Sequence, residues 1–179
     1  MRAFTLIEIL VVVAVSVIVM GSFIAYNSVI RAQVALSVEQ AKIAQVILRA
    51  KSLAISSYFS SFRCGYGFSV DYTGRSYSLN RYDVSSDADC DAIYTGRAGF
   101  ENTSAVPLET HSLDSNLDFQ ASGASDKLEE VLFIAPEPKT FIKVGGFLFR
   151  GTAKIYLETK TTPLRGATVN VNSVGQVGF

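Results

Sequence analysis

The sequence predicts an α+β protein: one long N-terminal α-helix laid on an antiparallel β-sheet head. Three observations carry this. Residues 4–26, FTLIEILVVVAVSVIVMGSFIAY, hold a single charge, Glu8. Residues 28–55 contain neither Pro nor Gly and are rich in good helix formers. From residue 63 onward the chain breaks into short alternating segments separated by turn residues.

The apolar stretch comes first. As a helix it runs about 34 Å, enough to cross a bilayer core of about 30 Å. The expectation is a membrane-embedded half over residues 4–26 within a helix covering 4–56. A carboxylate inside such a segment costs about 2.5–3.5 kcal/mol and marks a functional candidate. A plain single-pass anchor has no use for Glu8.

Met1, Arg2 and Ala3 form a very short basic leader. A secretory signal has its small-residue cleavage site beyond the apolar core, and nothing after Tyr26 reads as one. The small-residue junction here, Ala3–Phe4, lies in front of the core. Cutting there keeps the apolar segment and creates an α-amino group on Phe4, one helical turn from Glu8.

Ala3, then Phe4-Thr5-Leu6-Ile7-Glu8, then an unbroken apolar run resembles the N-terminal signal of type IV pilins and type II secretion pseudopilins, with Ala3 where Gly is usual. The resemblance covers about the first thirty residues. It implies a leader of residues 1–3, cleavage between Ala3 and Phe4 by a prepilin peptidase, N-methylation of Phe4, and a pilin fold. It also implies that Glu8 meets the amino terminus of a neighbouring subunit during filament assembly. The implied partners are other pilin or pseudopilin subunits, an inner-membrane assembly platform and, before assembly, membrane lipid. The implied location is the inner membrane, single-pass, with the head outside. Because Glu8 is present, the chain is unlike the K-type tip subunit, which lacks the acid.

After Tyr26 the helix continues. Ile30, Val34, Val38 and Ala41 fall at helical spacing, and Ile43, Val46, Ile47, Ala50 and Ala54 extend an apolar stripe that drifts. The expectation is that this stripe lies on the sheet, with Arg31, Gln33, Glu39, Gln40, Lys42, Arg49 and Lys51 on the wet side. Pro often kinks the helix of related pilins; here Gly21 and Ala25 occupy that region.

Residues 57–179 form the head, 123 residues and enough for one core. It carries eleven Lys/Arg against fourteen Asp/Glu, a net of −3, within a chain whose charges cancel. That balance argues against a general polyanion binder. Residues 56–63 read as an exit loop. Residues 64–72 and 76–84 read as a hairpin across Thr73-Gly74. Residues 85–91 read as a loop, 93–100 and 104–108 as strands, 116–127 as mostly loop. EVLFIA, 130–135, reads as a strand ended by Pro136 and Pro138. Residues 146–150 and 152–158 read as a pair around Gly151, and 168–171 with 176–179 as a last hairpin. This ending is similar to the H-type pseudopilin and T-type minor pilin group. In that group a strand, Arg, strand, Gly pattern closes the sheet; Arg165, Val169, Val171, Gly175 and Val177 are the matching positions.

Cys64 and Cys90 both follow the apolar segment. In an exported head a disulfide is the expected state, two free thiols or a metal pair being the alternatives. No companion Cys or nearby His supports a zinc site. Asp87, Asp89 and Asp91, with Asp83 upstream, place oxygens at alternate positions as calcium loops do. The central Gly and closing Glu are missing, so the set reads as a solvated acidic loop and, at most, a calcium candidate short of ligands.

Nothing points to catalysis. His111 is the sole histidine, and no nucleophile–base pair, G-x-S-x-G, G-x-G-x-x-G or Walker loop is present. Gly145-Gly146 reads as a turn. No cofactor is expected. Arg63, Arg75, Arg81 and Arg97 with Tyr58, Tyr66 and Tyr77 could form a nucleic-acid patch of the kind some T-type minor pilins use, against the negative head charge. The expectation is therefore a structural subunit, with a DNA-uptake subunit or a single-pass adhesion protein as the alternatives.

Overall fold

A computed structural model describes residues 6–56, 63–95, 103–120, 125–135, 139–160 and 164–179; the side chains of 23–29 and of Asp87 are outside this description. The elements are α1 (Leu6–Ser56), β1 (Arg63–Asp71), β2 (Ser76–Val84), α2 (Asp87–Tyr94), β3 (Thr103–Ser112), β4 (Leu117–Phe119), β5 (Glu130–Ile134), β6 (Lys139–Val144), β7 (Phe147–Phe149), β8 (Thr152–Thr159), β9 (Gly166–Asn172) and β10 (Val177–Gly178).

Three fold expectations are corrected. The head holds two antiparallel sheets, not one: six strands in the order β3-β2-β1-β5-β6-β7, and four in the order β10-β9-β8-β4. Among the described residues no helix is long and apolar enough to cross a membrane. The apolar run of α1 whose side chains are described, residues 6–22, gives about 25 Å of helix, short of the roughly 30 Å of a bilayer core. The membrane-embedded half over 4–26 is overturned by this finding. So is the single-pass inner-membrane location with an outside head that the resemblance implied.

The hairpin of β1 and β2 forms across residues 72–75, with Phe68 opposite Leu79 and Asp71 opposite Ser76. The Asp71 carboxylate accepts from the amides of Thr73 (3.0 Å) and Gly74 (2.8 Å), an Asx-type turn. Arg75 follows at φ 52°. β3 adds on the far side of β2 and β5 on the far side of β1.

The central strands of the six-stranded sheet, β2, β1 and β5, are covered on both faces. On one face Tyr66, Phe68, Tyr77, Leu79, Val131, Phe133 and Ile142 meet α1 and the inner side chains of the second sheet, Leu117, Phe119, Ala153, Ile155, Leu157, Val169 and Val171. On the other face Tyr82, Val84, Leu132 and Ile134 cover Ile93 of α2. Period-two alternation explains the sorting: Val131 and Phe133 face one core, Leu132 and Ile134 the other. Cys64 has the parity of Tyr66, yet lies in the α2 core. The register shift between Arg63 and Gly65 inserts one residue and turns it over.

Several segments differ from their sequence reading. Residues 87–91 of the segment read as a loop, 85–91, and the start of 93–100, read as a strand, lie in α2; residues 96–100 lie outside the described set. Ser86 caps α2, and the Asp89 carboxylate accepts from the Ser86 amide (3.1 Å) and hydroxyl (2.9 Å), a capping box. β4 lies within 116–127, read as mostly loop. β6, unread in the sequence, pairs with β5, and β7 pairs with β6. β7 and β8 do not pair. At Gly151, where an added Cβ would lie 2.7 Å from the Phe149 ring, the chain passes from one sheet to the other. β9 and β10 pair as a hairpin.

Candidate assembly interface

The site is built on α1, which changes character along its length. From Leu36 onward one face is buried: Leu36, Ile43, Val46, Ile47, Ala50 and Ala54 pack into the core shared by both sheets. The described side chains of residues 6–22 are bare. Leu6 (82% exposed), Val11, Val15 and Ile18 (69%) touch no folded core. Such an exposed apolar length makes residues 6–22 a candidate interaction surface.

The bare part is polar-quiet apart from Glu8. Ser16 donates to the Val12 carbonyl (2.8 Å) and Ser22 to that of Ile18 (3.0 Å). These back-bonds satisfy both hydroxyls within the helix. Glu8 lies in the first described turn and is exposed. Ala3 and Phe4, expected to be the cleavage pair, lie outside the described residues.

The expected apolar stripe is corrected. Ile43, Val46, Ile47, Ala50 and Ala54 are buried, but Ile30, Val34, Val38 and Ala41 are exposed. At 100° per residue the two sets fall on opposite sides of the helix, so the drift in the pattern is two separate faces. Glu39, expected on the wet side, is 1% exposed.

Polar contacts hold α1 to the head. The Tyr77 hydroxyl donates to Glu39 Oε1 (2.8 Å), and Lys42 Nζ donates to Glu39 Oε2 (3.0 Å). Burial, then the bond to Glu39, pushes the Tyr77 phenol well above its ordinary range. Gln40 donates to the Thr168 carbonyl (3.0 Å) and Lys51 to that of Gly175 (3.1 Å). Arg49 pairs with Glu109 on β3 at 2.8 Å, a half-exposed pair of small worth. Gly175 sits at φ +72°, and a Cβ there would lie 2.6 Å from Thr140 Oγ1 and 2.9 Å from the Phe133 ring. Glycine is therefore required at this turn on both counts. The helix is held along β2, β3, β9 and the β9–β10 turn, so the head fixes its direction.

The other candidate residues fall elsewhere. Cys64 and Cys90 are joined, Cα–Cα 5.2 Å, tying α2 to β1. Closing that 26-residue separation is worth about 3.5 kcal/mol in the chain-entropy model. Asp87 and Asp91 are on α2 with Asp89, whose carboxylate is engaged by Ser86. Residues two apart on a helix do not face each other, so alternate spacing does not gather these three oxygens. Among the described residues no group of three acidic, Cys or His side chains could hold a metal.

The nucleic-acid set is not gathered either. Arg81 pairs with Asp83 (2.7 Å) and Arg75 with Asp118 (3.3 Å), and Arg63 donates to the Tyr66 hydroxyl (3.2 Å). Tyr66 and Tyr77 are core residues; Tyr58 and Arg97 lie outside the described residues. His111 stacks on Tyr77 at 5.4 Å and lies 3.7 Å from Glu109. Sequence reasoning missed the Glu39–Tyr77 bond, and a carboxylate in the middle of an otherwise apolar helical face was the signal for it.

No family model, curated protein or solved structure matches this chain.

Proposed function

We propose that this chain is a structural subunit of the type IV pilin or type II secretion pseudopilin kind, built into a filament through the bare half of α1. The observation that carries the reading is an exposed apolar helix with one carboxylate, aimed by a folded head. An apolar length of this kind is costly in water, and packing against like helices removes it from water at about 25 cal/mol per Å². The N-terminal resemblance supports the same reading, with Ala3–Phe4 cleavage as maturation and the new Phe4 amine as one partner for Glu8. The work is assembly rather than catalysis. A DNA-uptake role finds less support, since Arg63, Arg75 and Arg81 are engaged within the head.

The test is Glu8→Ala together with the mature N-terminus. Protein recovered from cells should begin at Phe4. The variant should keep the melting temperature of the head while its recovery in filaments falls at least tenfold. Material that begins at Met1 and assembles normally overturns the reading.

A further inference from the structure

The outward face of α1 repeats, with the opposite charge, the pattern of its bare half. Between Leu6 and Val38 the helix carries one acid, Glu8, and one base, Arg31. Both are exposed, and among the described residues neither makes an ion pair. Glu8, Val11, Val15 and Ile18 follow one another at steps of three, four and three. Arg31, Val34, Val38 and Ala41 follow at the same steps. Such spacing keeps each set on one face and is that of a two-helix seam. Val34 (55%) and Val38 (47%) are exposed, and Leu48 and Ile55 extend the same face, opposite the side buried on the head.

We propose that the occupant of this face is the bare half of a second copy of the chain, running parallel and displaced by 23 positions. This rests on the filament reading above and specifies its register. The displacement is about 34 Å at 1.5 Å per residue. It sets Glu8 of one copy beside Arg31 of the next, Val11 beside Val34, Val15 beside Val38 and Ile18 beside Ala41. One offset therefore satisfies the charge pair and the apolar contacts together. A copy in register instead sets Glu8 against Glu8, which like charge opposes. A carboxylate accepts from more than one donor, so Arg31 and a Phe4 amine can serve the same Glu8.

The experiment uses the full chain. Assembly is followed by sedimentation for wild type, Glu8→Arg, Arg31→Glu and the double variant. Each single reversal is expected to lower the assembled fraction at least tenfold, and the double variant to recover a measurable part of it, the contact of Glu8 with the Phe4 amine remaining lost. Copies carrying Val11→Cys mixed with copies carrying Val34→Cys should cross-link to each other; Cys64 and Cys90 are already joined and do not compete. Assembly that ignores Arg31→Glu, or Val11→Cys copies that cross-link mainly among themselves, overturns the register and leaves the filament reading standing. Wild-type chain that does not self-associate overturns both. Glu8 and Arg31 are exposed, so an unchanged melting temperature separates these outcomes from misfolding.

Discussion

Glu39 shows how much a single side chain can decide. It is a carboxylate inside the α1–sheet contact, bonded by Tyr77 and Lys42. Hydrogen bonds to charged groups are worth about 1.5–3 kcal/mol, and a buried group left short of a donor is costly. Tyr77→Phe should therefore lower stability by about 2 kcal/mol, seen as a lower urea midpoint at unchanged slope. An equal midpoint removes Glu39 as an anchor of the helix. Gly67 is the second such position: an added Cβ would lie 2.0 Å from the Val131 carbonyl and 2.8 Å from the Tyr82 ring. Gly67→Ala should thus force β1 from β5, costing about 3 kcal/mol or more by overpacking, read by the same unfolding curve. The two cysteines form the bond expected of them, although the location from which it was argued is overturned. The burial of Glu39 could not be read from the sequence, because helical spacing says which residues share a face and not which face is covered.

At the scale of elements, what was legible was local. The β1–β2 hairpin announces itself through its turn residues and alternation, and β5 through the four apolar residues Val131 to Ile134 between Glu130 and the prolines at 136 and 138. β6 was passed over because prolines precede it and Gly145-Gly146 follow, and punctuation outweighed its short alternation. Residues 146–158 read as one hairpin because alternation does not tell which sheet a strand joins. α2 was missed although Ser86-Asp87-Ala88-Asp89 carries a capping pattern, since the same acids also suggest a loop. The disulfide makes α2 testable by itself. Replacing Cys64 and Cys90 together by Ser should cost about 2–4 kcal/mol. It should also raise amide exchange in α2 above that in β8 and β9, because the core behind α2 is the small one. Uniform exchange across the head speaks against α2 as a separately tied layer.

For the whole molecule, the two cores contribute a shared pH limit. Tyr72, Tyr77 and Tyr82 are held above their ordinary range, in each case chiefly by burial, with Glu129, Glu39 and Glu130 nearby respectively. Their folded values are raised, so their contribution is intact below the unfolded value of about 10 and declines as pH rises past it. Stability should fall by about 1.4 kcal/mol per pH unit for each such group. Tyrosinate absorbance should show a part of the eight tyrosines appearing only together with loss of the fold. Free titration of all eight in native protein contradicts the packing of these rings.

The way α1 is fastened also governs how the molecule bears load. Tension along the helix axis meets Gln40, Arg49 and Lys51, whose partners lie on different strands or turns of two sheets. The pull is then shear, shared across many side chains, and not the opening of one bond after another. The layer clipped by Cys64 and Cys90 lies behind the first sheet, out of the path of the force. Since rupture under force follows the unfolding rate, stretching should first release the helix from the head as one step and leave the α2 layer for last.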